Sequence, residues 1–488
     1  MNTSRPEHPG ASRTRTETDS FGPIELPADA LWGAQTARSL RYFEIGEQRM
    51  PLPVIHALAW IKWAAARVNG ELDLLDADRA GAMADAAQRV ALGEFDGAFP
   101  LSVWQTGSGT QSHMNVNEVV ARLATGALTD HGHGDGDGDG DAVASVRPAR
   151  IHPNDEVNLG QSSNDVFPTA MHLAVALQAQ HALLPALHEL RDALATKATA
   201  FEAIVKVGRT HLQDATPITL GQEFSGYIAQ LALCEASLRH ALAAVYSLAI
   251  GGTAVGTGLN THPEFGARVA ATLARHFDLP FVQADNLFAA MAGHEVLVAF
   301  HAGLKMLAIA LTKIGNDIRL MGSGPRAGFG ELRLPANEPG SSIMPGKVNP
   351  TQIEALTMVC AQVLGHDTAI GFAASQGQFE LNVGKPLIVL DTLDSLRLLA
   401  DAMRSFARHC VAGIEVHAER VEALLQGSLM LVTALAPHIG YALAAQVAVH
   451  AESHGSSLRE AALALGAVSA EQFDAWVDPR QMLGPRRE

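Results

Sequence analysis

Long helical runs that are apolar on nearly every face constrain this chain of 488 residues more than any other feature of its sequence. A run of about 36 residues would be roughly 54 Å long as a helix, well beyond the diameter of a small domain. Apolar residues all round such a helix require neighbours on every side, which one chain rarely supplies. We therefore predict an all-α fold built on a helix bundle that subunits share. The runs are Asp165–Val205, Thr219–Ile250, Asp285–Met321, Pro350–Ala373 and Pro386–His409.

The composition agrees with a helical fold and excludes several classes of partner. Hydrophobic residues make up 48% of the chain and aromatic residues only 5%, and unbranched apolar side chains lose little freedom in helices. The formal charge of -16 and the lack of clustered Lys and Arg exclude an extended nucleic-acid surface. If the substrate is an anion, its site must therefore concentrate local positive charge and backbone N–H groups.

The cysteines, the N-terminal segment and the hydropathy pattern indicate the cellular compartment. Cys234, Cys360 and Cys410 are far apart in apolar helical surroundings, so we predict reduced, buried thiols in a cytoplasmic protein, without an iron–sulfur spacing. The start, Met1–Ser20, has no apolar region of a secretory signal and is predicted to be a frayed arm. The uncharged stretch Ala241–Pro263 becomes Gly-rich and polar, which indicates a turn rather than a membrane span.

The chain divides by pattern into three predicted domains. Residues 1–160 read as a mixed, mainly helical domain, with helical patterns around Ile55–Asn69 and Asp76–Leu92. Residues 161–412 contain the long helical runs. Residues 413–488 return to short helices and polar turns.

A low-complexity segment, His131–Asp141, interrupts the first domain with the sequence HGHGDGDGDGD. It has no residue that could build a core, so we predict a flexible surface loop. Its Asp spacing resembles the first half of an EF-hand loop, but the position that requires a bidentate Glu is Val146, and no metal site is predicted.

Four segments carry small hydroxyl, amide and glycine residues that an Ala-rich helical protein does not need for packing. Each alone is explained by a turn or a helix cap. Together they supply what a small dicarboxylate requires: short neutral donors, a cation, and an acid and a base. Gly340 and Gly346 would let backbone N–H groups approach a negative charge. The segments are Thr106–Glu118, Gly160–Asp165, Gly208–Gln213 and Gly340–Pro350.

The last of these, GSSIMPGKVNP, resembles the signature loop of the fumarase/aspartase superfamily. The resemblance extends from about Thr18 to Leu483 and is to class II fumarases; it rests on WGAQTARS, WQTGSGTQS, HPNDEVN, QSSNDVFPTAMH, GRTHLQDATP and GGTAVGTGLNTHP. It implies a three-domain all-α fold whose long helices form the core of a homotetramer. The implied reaction is the reversible hydration of fumarate to L-malate, without a cofactor or metal.

The resemblance also implies a role for individual residues. Ser341 matches the base on a glycine-flanked loop, and Lys347 could lower the energy of its alkoxide. His211 matches the acid/base that handles water, with Glu354 to orient its ring. The remaining implied substrate contacts are Ser108, Gly109, Thr110, Ser162, Ser163, Asn164, Thr210, Ser342, Val348 and Asn349.

A secondary anion site is implied as well, and several positions depart from the family pattern. The family's arginine just before that site falls on Ala149, with Arg147 and Arg150 nearby but out of step. His113 stands where an Asn is usual. The implied secondary site is His152, Pro153, Asn154 and Asp155.

Two alternatives remain open. Aspartate ammonia-lyase shares the fold and the signature loop, but His211, Ser163 and Gly346 stand where that family usually has Gln, Thr and Ala. A noncatalytic structural relative is the other alternative, although such a protein would not need all four implied catalytic side chains.

Overall fold

The computed structural model describes residues 13–131 and 150–485. The Gly–Asp segment after residue 131 and its possible calcium ligands lie outside the described residues. Backbone contacts divide the chain into two compact units, neither of which is continuous in sequence. Unit 1 is Met1–Ala182, Leu238–Leu304 and Val363–Arg397, and unit 2 is Leu183–Ser237, Lys305–Gln362 and Leu398–Glu488.

Unit 1 is built around α2 (Leu52–Glu71), which is buried along most of its length. It packs against α3 (Ala77–Ala91), α4 (Thr110–His131), α5 (Ser163–Gln178) and α8 (Phe265–Phe277). A helix surrounded by four others can be apolar all round, as the sequence predicts. The other elements here are β1 (Thr14–Asp19), β2 (Gly22–Pro27), α1 (Ala34–Tyr42), β5 (Ser247–Leu248), β6 (Val282–Gln283) and α9 (Leu287–Ala292).

Unit 2 contains a hairpin of two antiparallel strands and a C-terminal cluster of short helices. Strands β3 (Val205–Thr210) and β4 (Gln213–Thr219) pair with each other. Val207 of β3 belongs to the same buried apolar cluster as Leu435 and Val447 of the C-terminal segment. The other elements are α6 (Leu184–Ala200), β7 (Leu332–Arg333), β8 (Glu415–Val416), α13 (Ala418–Gly427), α14 (Ala436–Ile439), α15 (Tyr441–His454), α16 (Leu458–Ala464) and α17 (Ala470–Trp476).

Four long helices contribute residues to both units. They confirm the predicted helical runs, because each lies within or close to a run identified from the sequence. Their bounds are α7 (Leu220–Val245), α10 (Glu295–Met321), α11 (Thr351–Ala374) and α12 (Lys385–His409).

Local breaks correct three of the sequence predictions. The run predicted from Asp165 to Val205 is interrupted by a π-helical turn at Ala179–Leu183 and ends at Ala200. The run predicted from Asp285 is divided between α9 and α10. The segment Met1–Ser20 is not frayed throughout, since Thr14–Asp19 pairs with Gly22–Pro27.

The structure also shows the state of the cysteines and how far the long apolar helices are buried. All three cysteines are free and buried, as predicted. By length and apolar composition alone, α7 and α10 could each cross a membrane, and less than half of their most apolar windows is buried. Large apolar side chains are exposed on these helices and on α11: Leu233, Ile309, Met358 and Phe372.

Candidate active site

Three predicted substrate hydroxyls form one hydrogen-bonded chain in unit 1. The Ser108 and Thr110 hydroxyls lie 2.7 Å apart, and the Thr110 and Ser163 hydroxyls also lie 2.7 Å apart. Ser108 belongs to the turn before α4, Thr110 begins α4, and Ser163 begins α5. Gly109 has φ +77°, and a Cβ at this position would lie 2.3 Å from the Phe167 ring. Only glycine therefore allows this close approach of the two segments.

The start of α5 is fixed by a buried carboxylate. Ser162 is the N-cap, and Asp165 completes a capping box by accepting the Ser162 backbone N–H at 2.9 Å. Its other oxygen accepts the N–H groups of Gly251 and Thr253 at 2.9 and 3.0 Å. Burial nevertheless raises the pKa of Asp165 to about 6. The cap predicted for this segment is confirmed, and the neighbouring Asn164 side chain donates to the Ala254 carbonyl.

The Gly340–Pro350 loop in unit 2 holds Ser341 in contact with backbone donors. The Ser341 hydroxyl oxygen accepts hydrogen bonds from the N–H groups of Ile343 at 3.3 Å and Met344 at 3.1 Å. The loop is closed by the Asn349 side chain, which donates to the Gly340 carbonyl at 2.6 Å. Two N–H donors on one hydroxyl oxygen favour negative charge there, because they stabilise an alkoxide more than a neutral hydroxyl.

Other members of this loop point away from the protein. Ser342, Lys347 and Val348 are exposed, and the Lys347 ammonium has no hydrogen bond or ion pair among the described residues. A Cβ on Gly340 would lie 2.4 Å from the Lys347 carbonyl oxygen. The loop therefore presents a serine, an amide and an ammonium on an exposed surface of unit 2.

The sequence pattern places His211 at the end of a helical run. In the structure it lies at the tip of the β3–β4 hairpin. His211 and Leu212 have φ values of +59° and +60°, the arrangement of a two-residue type I′ turn. Such turns favour Asn and Gly, so two larger residues here hold local strain. Behind the tip, Arg209 forms a two-pronged pair with buried Glu331, at 2.9 Å for each contact.

The predicted contact between His211 and Glu354 is not made within the described part of one chain. Both side chains are exposed, and no hydrogen bond or ion pair of the described residues joins them. Thr210, beside His211 at the end of β3, is also exposed. The orientation of His211 by Glu354 thus stays a prediction.

The predicted secondary anion residues lie beside a cavity of about 400 Å³ in unit 1. His152 and Asp155 lie 3.1 Å apart, from Nδ1 to Oδ2. Arg150 could replace the missing family arginine, but its guanidinium is 2.8 Å from Glu17. The cavity is lined in part by Arg15, Glu17, Arg122, Arg150, His152, Pro153 and Asn154.

Sequence reasoning missed a buried polar cluster beneath the hydroxyl chain. Lys62 of α2 is fully buried and contacts the His113 ring on α4 at 2.7 Å. It also donates to the side-chain oxygens of Asn158 at 3.1 Å and Gln161 at 2.9 Å. The sequence signal that could have revealed this cluster was one lysine within the apolar pattern of α2. Within the described residues, no cluster of three or more His, Cys, Asp or Glu side chains has the geometry of a metal site.

Comparison with known proteins assigns the family. A family model described as "Lyase" matches residues 22–365, and one described as "Fumarase C C-terminus" matches residues 431–484. The chain is 61% identical to a class II fumarate hydratase of Chromobacterium violaceum over 96% of this chain and 99% of that protein. It is 57% identical to one from Thermosynechococcus vestitus over 97% and 98%.

Solved structures give the same result. The crystal structure of a class II fumarase from Schistosoma mansoni superposes with a TM-score of 0.92, at 43% identity over 97% of this chain and all of that chain. Fold and sequence together define a lyase of the fumarase/aspartase superfamily. Within that superfamily, the chain belongs to the class II fumarate hydratase family. The resemblance to class II fumarases and the predicted all-α fold are thereby confirmed.

Proposed function

We propose that the chain catalyses the reversible, stereospecific hydration of fumarate to L-malate by acid/base catalysis, with Ser341 as the base. The observation that carries this assignment is the pair of backbone N–H groups on the Ser341 hydroxyl oxygen. A serine is a weak base, and donors already in position lower the energy of its alkoxide without reorganisation.

In the dehydration of malate, the Ser341 alkoxide removes the proton from the carbon next to one carboxylate. The electron pair of that C–H bond moves into the carboxylate and forms an aci-carboxylate dianion. The bond from the neighbouring carbon to its hydroxyl then breaks, and protonated His211 delivers a proton so that water leaves. Hydration follows the same steps in reverse. The extra negative charge is the main barrier, and Lys347 and Asn349 are the groups that stabilise it.

The substrate carboxylates require neutral donors as well as this cation. We assign this role to Ser108, Thr110 and Ser163, whose hydroxyls are already linked, and to the neighbouring Gly109, Ser162 and Asn164. Thr210, Ser342 and Val348 complete the set. His152, Pro153, Asn154 and Asp155 are proposed as a secondary anion site.

We further propose a homotetramer in which three chains contribute to each active site. Exposed apolar side chains on α7, α10 and α11 support this assembly, because other copies of the chain would cover them. α7 also carries Glu235, which contacts His188 at 2.8 Å and Arg191 at 2.6 Å. Such charged contacts favour a protein interface over lipid, so we propose no membrane partner. Light scattering of the purified protein tests this: a monomer that still hydrates fumarate would refute it.

The proposed chemistry needs no cofactor, and we propose a cytoplasmic location in keeping with the free cysteines. Purified protein should therefore hydrate fumarate equally well with and without EDTA. A loss of activity on chelation, restored by adding a metal ion, would contradict this part of the proposal.

The decisive experiment follows fumarate consumption by absorbance and couples malate formation to malate dehydrogenase. Aspartate is the control substrate, because ammonia release from it would indicate the alternative lyase activity. We expect turnover of fumarate and malate and none of aspartate. A correctly assembled protein that converts none of the three would indicate the noncatalytic alternative.

A further inference from the structure

We propose that Lys62, which His113 holds in place, is a positioning residue for substrate binding. Its buried ammonium links the two segments that carry the substrate hydroxyls and offsets the Asp165 carboxylate beneath them. This inference rests on the proposed function, because it concerns how that substrate is held.

The two hydroxyl-bearing segments are connected at two places in unit 1. On one side, the Thr110 and Ser163 hydroxyls meet at 2.7 Å. On the other, Lys62 reaches His113, three residues after Thr110, and Gln161, two residues before Ser163. One lysine thus fixes the position of one hydroxyl relative to the other.

The contacts of Lys62 match an ammonium better than a neutral amine. An ammonium has three N–H donors, and three acceptors lie within 3.1 Å: His113, Asn158 and Gln161. Asn158 is oriented in turn, since its Nδ2 donates to the Gln161 carbonyl at 3.2 Å. The segment before α5 is therefore organised around the charge on Lys62.

The charge of Lys62 reduces the repulsion between Asp165 and an anionic substrate. Asp165 lies beneath Ser162 and Ser163, where an isolated carboxylate would repel a dicarboxylate. Burial raises the pKa of Asp165, whereas the charge of Lys62 lowers it. With both groups ionised, the positive charge offsets the negative one and the carboxylate remains available to cap α5.

The same charge predicts how substrate binding depends on pH. Burial lowers the pKa of Lys62 well below its ordinary value, and Asp165 of α5 opposes this. From α4, His113 faces Lys62; α3 and α8, which also pack on α2, give Lys62 no hydrogen bond or ion pair within the described residues. Above its lowered pKa the ammonium loses its proton, so the KM for fumarate should rise as the pH rises through that pKa.

The test compares Lys62→Met with the wild type in the assembled enzyme. We expect KM for fumarate to rise about tenfold with kcat within about threefold, the signature of lost substrate binding rather than lost chemistry. The rise of KM with pH should disappear. Lys62→Arg, which keeps the charge, should recover most of the affinity. An unchanged KM and pH profile in assembled Lys62→Met would overturn the proposal.

Asn69→Ala is the matched control, because Asn69 also lies on α2 and donates to the Leu159 carbonyl of the same segment without a charge. Its KM should stay within about twofold of wild type. If Lys62→Met does not assemble, Lys62→Arg decides, because a guanidinium keeps its charge throughout the pH range of the assay. Its KM should stay close to wild type and should no longer rise with pH, and a rise that persists in Lys62→Arg would overturn the proposal. Failure of the proposed function is distinguishable, because the wild-type protein would then show no hydration of fumarate.

Discussion

The hydroxyl chain of unit 1 and the exposed groups of unit 2 that we propose as catalytic differ in how many hydrogen bonds they form within one chain. Ser108, Thr110 and Ser163 bond to each other, and Lys62 supports them from below. By contrast, the side chains of His211 and Lys347 are exposed and have no hydrogen bond or ion pair among the described residues. The proposed substrate hydroxyls are thus held in place within one chain, whereas the proposed acid/base groups have no such contacts within the described part of it.

This difference has a physical reason. Linked hydroxyls can hold a carboxylate without help, because each donates and accepts in turn. A base and an acid must approach opposite faces of a substrate, and strained or exposed positions allow that approach. We therefore expect substitutions in the two regions to affect different kinetic constants.

The largest effect is expected for the proposed acid/base pair. Ser341→Ala and His211→Asn should each lower kcat about a thousandfold or more, equivalent to about 4 kcal/mol, because each removes a proton-transfer group. Steady-state kinetics on assembled protein measures this. Ser225→Ala and His454→Asn are matched controls, since both residues are exposed on helices and outside the proposed site. Wild-type rates in either site variant would remove that residue from the mechanism.

The hydroxyl chain should show a smaller effect, concentrated in substrate affinity. Thr110→Ala and Ser163→Ala should each lower kcat/KM by about ten- to a hundredfold, mainly through KM, because each removes a donor to a carboxylate. The double variant should lose less than the product of the two single effects, since the hydroxyls contact each other. Independent effects that multiply fully would contradict a linked chain.

His113 predicts an effect of pH on stability. Burial and the charge of Lys62 hold its pKa well below the ordinary value of 6.5. Below pH 6.5 the unfolded chain therefore takes up a proton that the native ring refuses, and stability falls as the pH falls. His113→Asn removes this loss, which at pH 5 is at most about 2 kcal/mol. Denaturation midpoints at pH 8 and pH 5 test this: an equal drop in both proteins would contradict it.

The smallest predicted effect concerns the strained hairpin tip. Leu212→Gly should stabilise the protein by about 0.5–1 kcal/mol, because glycine adopts a positive φ without strain. Leu465 is the control: it is also exposed but has φ -81°, so Leu465→Gly should be destabilising by about the same amount. Thermal denaturation measures both. A destabilised Leu212→Gly would show that the turn is not strained at this position.

Local sequence signals predicted the helices and the hydroxyl segments, but not every contact between distant residues. The Ser162 cap and the long helices depend on short-range patterns, which sequence displays directly. The π-helical turn at Ala179–Leu183 and the hairpin around His211 were missed, because tertiary packing overrides local preference there. Lys62 was missed for a related reason: its three acceptors come from positions that are distant in sequence.

The most direct test of the central claim uses two inactive variants together. If Ser341 and His211 of one active site come from different chains, mixed tetramers of Ser341→Ala and His211→Asn contain some sites with both native residues. Random mixing at equal amounts should restore about a quarter of wild-type activity. Mixed tetramers, verified by native mass spectrometry, that remain as inactive as either parent would contradict the account.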